Sequence, residues 1–211
     1  GCADYFARDI AIRYNPDETY ADAVTYIYNT LVNSISDGTI KCDKIKEEYL
    51  KQECVLPEKK KVKCNTMKAF SKVLCSNTKI EFKCIQANIL EGIMESRYID
   101  IARTGNGWEV ILHDLENVAI DGKGSHLFSD FSDASVIVLK NCNNIVLKNF
   151  KFGHNSDIHH CEGCVVRLEN TYDCRLKKLN LYGCGTYGIV AMDSAFKARK
   201  LKIHRCTDGA I

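Results

Sequence analysis

The sequence predicts a mainly β protein: a right-handed parallel β-helix with an N-terminal capping helix, preceded by a small α-helical region. Three observations predict it. From Val110 to the last of 211 residues, apolar positions recur out of step every 22 to 29 residues, the mark of a solenoid whose coils stack on one another. Within each repeat they alternate with period two, as one face of a strand does. A turn residue, Asn117, Asn144 or Asp173, recurs just before the second strand of each repeat.

Residues 1–61 read as helical. Val24, Ile27, Tyr28, Leu31 and Ile35 keep helical spacing, with Thr19 and Asp22 as a capping box and Gly38 as the stop; Asn15-Pro16 is an alternative start. A second short helix is expected over 44–52, with Glu47 four residues before Lys51 on its exposed face. The run Lys59-Lys60-Lys61 then reads as a solvated loop. The β-helix is expected over 62–211. Met67, Phe70 and Leu74 give segment 65–75 one apolar helical face, suited to covering an uncapped coil, and Thr78–Phe82 follows as a strand.

The coils come next. Leu112, Leu139, Leu168 and Met192 align as anchors, with Val110, Ile137, Val166 and Val190 two positions earlier. A second strand supplies Val118 and Ile120, Ile145 and Leu147, Cys174 and Leu176, and, after a shorter turn, Phe196 and Ala198. The third supplies Phe150 and Phe152, Leu179 and Leu181, Leu201 and Ile203, while the loop 122–133 interrupts the first coil at this point. Stacked amides in the turn column are placed to bond from coil to coil. A fifth coil is opening at Ala210-Ile211, so the chain reads as a portion of a longer protein.

Lys68-Ala-Phe-Ser-Lys-Val-Leu74, Asn77-Thr-Lys-Ile-Glu-Phe82, Glu116-Asn-Val-Ala-Ile-Asp-Gly-Lys-Gly124 and Asn141-Cys-Asn-Asn-Ile-Val-Leu-Lys-Asn149 carry a family likeness. With Gly153-His154 and Leu181-Tyr-Gly-Cys-Gly-Thr-Tyr-Gly-Ile189, they resemble the bacterial right-handed parallel β-helix repeat proteins of the pectate-lyase-like superfamily. The resemblance covers about residues 65–211 and implies the fold. It implies no single activity, because that superfamily holds polysaccharide lyases, glycoside hydrolases, epimerases and non-catalytic adhesins. The last two motifs are similar to a subgroup with many exported or lipid-anchored members.

The chemistry of such enzymes has residue requirements. A hydrolase needs paired carboxylates, and a lyase of this fold needs acidic calcium ligands with a cationic base. Outward positions read as Ile111, Val138, Arg167 and Ala191, then Ala119, Val146, Arg175 and Lys197, then Lys151, Asn180 and Lys202. No column pairs carboxylates, although Glu169 and Asp193 align on adjacent coils. The columns instead give a basic ladder, Lys148, Lys177 and Arg199 beside Arg175, Lys197, Lys151 and Lys202, whose field would attract an acidic polysaccharide. The bland reading of the same lysines is a face kept soluble and unpaired.

Segment 154–164 gathers His154, His159, His160, Cys161 and Cys164, donors suited to zinc, with Asp157 and Glu162 as oxygen donors that calcium would also accept. The motif is incomplete for either ion; a Cys161–Cys164 pair or a loop in which His154 bonds backbone are the alternatives. Twelve cysteines, several of them amino-terminal, suggest an exported disulfide-linked protein, with Cys54 and Cys64 closing a loop. Gly1-Cys2 resembles a lipoprotein cleavage site, making Cys2 the lipidated residue and its anchor the link to a membrane. A periplasmic or cell-surface location is thus expected, with a reduced cytoplasmic protein as the alternative. A net charge of +2 predicts no nucleic-acid partner. The expected function is an exported scaffold binding an acidic glycan; the alternative is a carbohydrate-active enzyme whose catalytic coils lie outside this chain.

Overall fold

Strands dominate, and nearly all pair in parallel. The computed structural model describes residues 59–155, 163–183 and 186–211, which fall within one compact unit, Leu56–Ile211. The helices expected between residues 19 and 52, and Cys2, lie outside the described residues. The elements are β1 (Lys60–Cys64), α1 (Met67–Val73), β2 (Thr78–Phe82), β3 (Gln86–Asn88), β4 (Ile99–Thr104), β5 (Gly107–His113) and β6 (Glu116–Ser129). They continue with β7 (Ile137–Lys140), β8 (Asn143–His154), β9 (Val166–Glu169), β10 (Cys174–Tyr182), β11 (Ile189–Met192), β12 (Phe196–Arg199) and β13 (Lys202–His204).

From β5 to β12 the chain alternates between two sheets. The larger has the order β1-β2-β6-β8-β10-β12, with β3 beside β6 and β13 beside β10; the smaller has the order β11-β9-β7-β5-β4. Only the β4–β5 hairpin is antiparallel among these pairings. Each strand therefore stacks on its counterpart one repeat earlier, and like residues fall into register. Leu112, Leu139 and Leu168 align, as do Val110, Ile137 and Val166. Val62, Ile80, Ile120, Leu147, Leu176 and Ala198 form one continuous inner column of the larger sheet.

Four expectations need correction. In β11 the partners of Val166 and Leu168 are Ile189 and Ala191, so Val190 and Met192 are one residue out of the expected register. A one-residue slip exchanges the two faces of a strand. Burial favours the observed choice, since Ile189 is fully buried whereas Met192 is 46% exposed. The slip also removes the match of Asp193 with Glu169, which faces Met192, and puts Val190, not Ala191, beside Arg167. Next, 122–133 is not a break: β6 continues past a register shift between Asp121 and Ser125, and Ser125 and Leu127 face Phe150 and Phe152. Third, Lys60 and Lys61 belong to β1, paired with Thr78 and Lys79, rather than to a loop. Fourth, Val138 points outward but is fully buried.

The helix forms where expected. Thr66 caps it by accepting a bond from the Ala69 N–H at 3.0 Å. Met67 and Phe70 share the apolar interior with Val110, Leu112, Ile120 and Leu147, leaving about 10 Å³ between them, the lower limit for one water. Aromatic contacts lead inward from the helix: Phe70 to Phe82 at 5.3 Å, Phe82 to Phe150 at 5.4 Å, and Phe150 to Phe152 at 4.8 Å.

The corners are built by side chains that tolerate a left-handed backbone. Asn77, Asn117, Asn144 and Asp173 all have φ between 51° and 59°. Asn117 Nδ2 donates to Asn77 Oδ1 at 2.9 Å, and Asn144 Nδ2 to Asn117 Oδ1 at 3.1 Å. A second ladder, Asp114–Asn141–Asn170, repeats this at the other corner with bonds of 3.3 and 3.0 Å. The described cysteines, Cys64 among them, are free thiols; Cys54, the partner expected for Cys64, lies outside the described residues. Burial raises Cys64 and Cys142 to about 11 and Cys174 to about 12, as for small apolar fillers of a core.

Candidate functional site

Period-two alternation puts one residue in two of each large-sheet strand on the outer face, and the register sorts them by charge. Lys79, Ala119, Val146, Arg175 and Lys197 form one outer column. Glu81, Asp121, Lys148, Lys177 and Arg199 form the next. Strands lie about 4.8 Å apart, so these heads crowd along the stack. The acids sit at the amino-terminal end. Lys79 pairs with Glu81 at 3.3 Å, and Asp121 takes Lys148 at 3.1 Å and Lys123 at 3.4 Å. Burial alone would raise the Asp121 carboxyl; bonds from Asn149, the Lys123 N–H and Lys148 hold it down at about 2.

Beyond Lys148 the acids stop. Among the described residues Arg175, Lys177, Lys197 and Arg199 make no ion pair, and all but the half-buried Lys177 are exposed. Of the ligand-binding residues read from the sequence, the structure brings Arg175, Lys177, Lys197 and Arg199 together on adjacent strands. Lys148 is neutralised by Asp121, and Lys202 faces Asn180 from β13.

The third-strand columns carry residues the sequence reading passed over. His126, Lys151, Asn180 and Lys202 align, and beside them Phe128, Gly153, Tyr182 and His204. The Tyr182 ring lies against Gly153, where an added Cβ would come within 2.4 Å of it. Its hydroxyl thereby reaches His126 Nε2, two strands away, at 2.6 Å. Lys151 Nζ sits 4.7 Å from the Tyr182 ring centre. The His204 ring is nearly parallel to that of Tyr182, with centroids 6.0 Å apart, and its Nε2 bonds Asn180 Oδ1 at 3.0 Å. Burial and then Lys151 lower the His126 pKa, and burial with Lys202, Arg205 and Lys151 lowers that of His204. Next to this patch Lys123, Asn149, Lys151, Lys178 and Asn180 line a shallow open groove.

The expectation that no column pairs carboxylates needs correction, since Glu81 and Asp121 are register partners in one outer column of the larger sheet; on the smaller sheet two further carboxylates are bridged by an arginine. Arg167 donates through both terminal nitrogens to Glu109, through Nε to Glu169 at 2.7 Å, and to Ser135 Oγ at 2.8 Å. Burial disfavours the guanidinium charge, but Glu109 and Glu169 more than offset this and raise its pKa. Glu109 is 4% exposed, and a carboxylate so enclosed and bonded on both oxygens is committed to structure.

Of the metal-ligand residues, His159, His160 and Cys161 lie outside the described residues. Both ring nitrogens of His154 face carbonyl oxygens, Gly183 O at 2.7 Å and Ala134 O at 2.8 Å, which occupies the atoms a metal would need. Cys164 is buried with Sγ 3.4 Å from Ser135 Oγ, and burial raises its thiol pKa. Among the described residues no group of three or more His, Cys, Asp or Glu is arranged to hold a metal ion. Compared with protein-family models, curated proteins and solved structures, the chain gives no match.

Proposed function

We propose that the chain is a right-handed parallel β-helix of pectate-lyase-like type whose outer face binds an acidic glycan. The fold reading is supported by parallel registers that return to the same two sheets once per repeat, and by the near-universal right-handedness of parallel crossovers. The binding reading is carried by one observation: Arg175, Lys177, Lys197 and Arg199 occupy neighbouring outer positions without acidic partners among the described residues. Four cations on two adjacent strands repel one another, and a polyanion along the stack relieves that repulsion. A location outside the cytoplasm, where an acidic polysaccharide would be met, belongs to the same proposal; the cysteine count lends it little support, because Cys64, Cys142 and Cys174 serve as core fillers.

Calorimetry with a galacturonic-acid oligomer and a neutral galactose oligomer of equal length tests the binding. The acidic oligomer is expected to bind and the neutral one not. Raising salt from about 0.05 to about 0.5 M should weaken binding strongly as the Debye length shrinks. The double replacement Arg175→Glu, Lys197→Glu should abolish it with little change in thermal stability, since both side chains are exposed. Equal behaviour of the two oligomers would leave the ladder as solubilising charge.

A further inference from the structure

We infer that Tyr182, with His126, Lys151, Asn180 and His204 around it, is a subsite for one acidic pyranose unit at the edge of the basic strip; this rests on the acidic-glycan reading above. A strip of exposed cations supplies attraction but neither shape nor orientation. The third-strand patch supplies both. Gly153 leaves a gap in its outer column, and the ring of Tyr182 lies down into it, its hydroxyl tied to His126 at 2.6 Å. The ring is therefore held flat along the sheet, with part of its surface uncovered by protein; Tyr182 is half-buried. Flat aromatic surface with a polar rim suits the apolar C–H face of a sugar ring.

The rim carries matching chemistry. Lys151 Nζ lies over the Tyr182 ring, 4.7 Å from its centre; a sugar that stacks there displaces this flexible cation toward the sugar's own carboxylate. Asn180 and His204, bonded to each other at 3.0 Å, present an amide and an imidazole for hydroxyl groups. Lys151 and Asn180 also line the open groove shared with Lys123, Asn149 and Lys178, so a chain leaving Tyr182 meets further cations before reaching Lys177. Stacking rings with adjacent lysines also suit nucleobases, and the hydroxyl-directed rim is what favours the sugar.

The test uses the whole chain and the galacturonic-acid oligomer, with a single-stranded oligonucleotide of equal charge as competitor. Tyr182→Ala should weaken sugar binding roughly tenfold, the loss expected for one stacked ring. Gly153→Ala removes no binding group but forces the ring to lift, and should weaken it comparably. In the parent protein, the Tyr182 ring resonances should shift on addition of sugar. If both variants bind as the parent does while Arg175→Glu, Lys197→Glu has lost binding, the strip stands and the subsite falls. Unshifted Tyr182 resonances at saturation overturn it even where the variants fail to fold. A parent that binds no acidic oligomer overturns both readings, and an oligonucleotide held as tightly through Tyr182 overturns the sugar assignment.

Discussion

The two ends of the larger sheet use one register and reach opposite outcomes. Near α1, Ile80, Ile120 and Leu147 are at most 2% exposed, and their outer neighbours are paired, Glu81 with Lys79 and Asp121 with Lys148. In β12, Ala198 continues the same inner column and is exposed, while Lys197 and Arg199 form no ion pair among the described residues. What differs is the neighbour. In a stacked architecture a residue's burial and pairing come from the layer above and below more than from its own strand. Within residues 59–211, stability should therefore concentrate toward the helix-covered end.

Truncating one aromatic at each end should show the largest contrast. Phe70 is 3% exposed and begins the chain of rings that runs to Phe152. Phe70→Ala should cost about 3–5 kcal/mol, the range for large core truncations. Phe196 in β12 is half-buried, and Phe196→Ala should cost about 1–2 kcal/mol from its lost apolar area. Urea unfolding of both variants checks this, and equal losses would mean that α1 covers nothing of consequence.

The corner ladders sharpen the comparison at smaller magnitude. Asn117 is fully buried and bonded on both sides, to Asn77 and Asn144, whereas Asn170 is exposed and reaches only Asn141 among the corner amides. Glycine preserves the positive φ that both need, 57° and 47°, so the substitution isolates the side-chain bonds. Asn117→Gly should cost about 1–3 kcal/mol, because it strands buried polar groups of its neighbours. Asn170→Gly should cost a few tenths to about 1 kcal/mol. A reversed order in thermal unfolding would show that the ladder is not graded along the stack.

These contrasts also explain what was legible in the sequence. The inner columns could be read because burial by neighbours on both sides demands an apolar residue every second position, as at Ile120, Leu147 and Leu176. Register failed at Ile189-Val-Ala-Met192, where every residue is apolar and no polar neighbour marks the outward face. Strands β3 to β5 lie within a 40-residue interval separating Ile80 from its partner Ile120, which hid the repeat there. The basic strip was legible because its charges alternate with core residues along β10 and β12. The Tyr182–His126 bond was not, because it spans two strands and depends on a missing side chain at Gly153. Its one sequence signal is a glycine in an outer column flanked by Phe128 and Tyr182. Glu109 gave no signal, since nothing in the local pattern announces the Arg167 that neutralises it from another strand.

Acid titration gives the smallest and most specific contrast. Asp121 is, with Glu81, one of the acids that neutralise the helix-proximal half, and its carboxyl stays near 2 in the folded protein against about 3.9 in an unfolded chain. The folded state therefore binds fewer protons than the unfolded one between those values. The stabilisation is complete above about pH 4 and fades as pH falls toward 2, by on the order of 2 kcal/mol. Asp121→Asn should be less stable than the parent at pH 6 and should lose less on acidification, so the two stability curves converge toward pH 2. Arg175→Gln should leave the parent's acid profile unchanged, because among the described residues Arg175 forms no ion pair. Urea unfolding at intervals between about pH 2.5 and 6 measures all three proteins. Parallel curves for the parent and Asp121→Asn would mean that Lys148, Lys123 and Asn149 hold nothing at Asp121, and that the two ends of the sheet do not differ in their charges as the contacts imply.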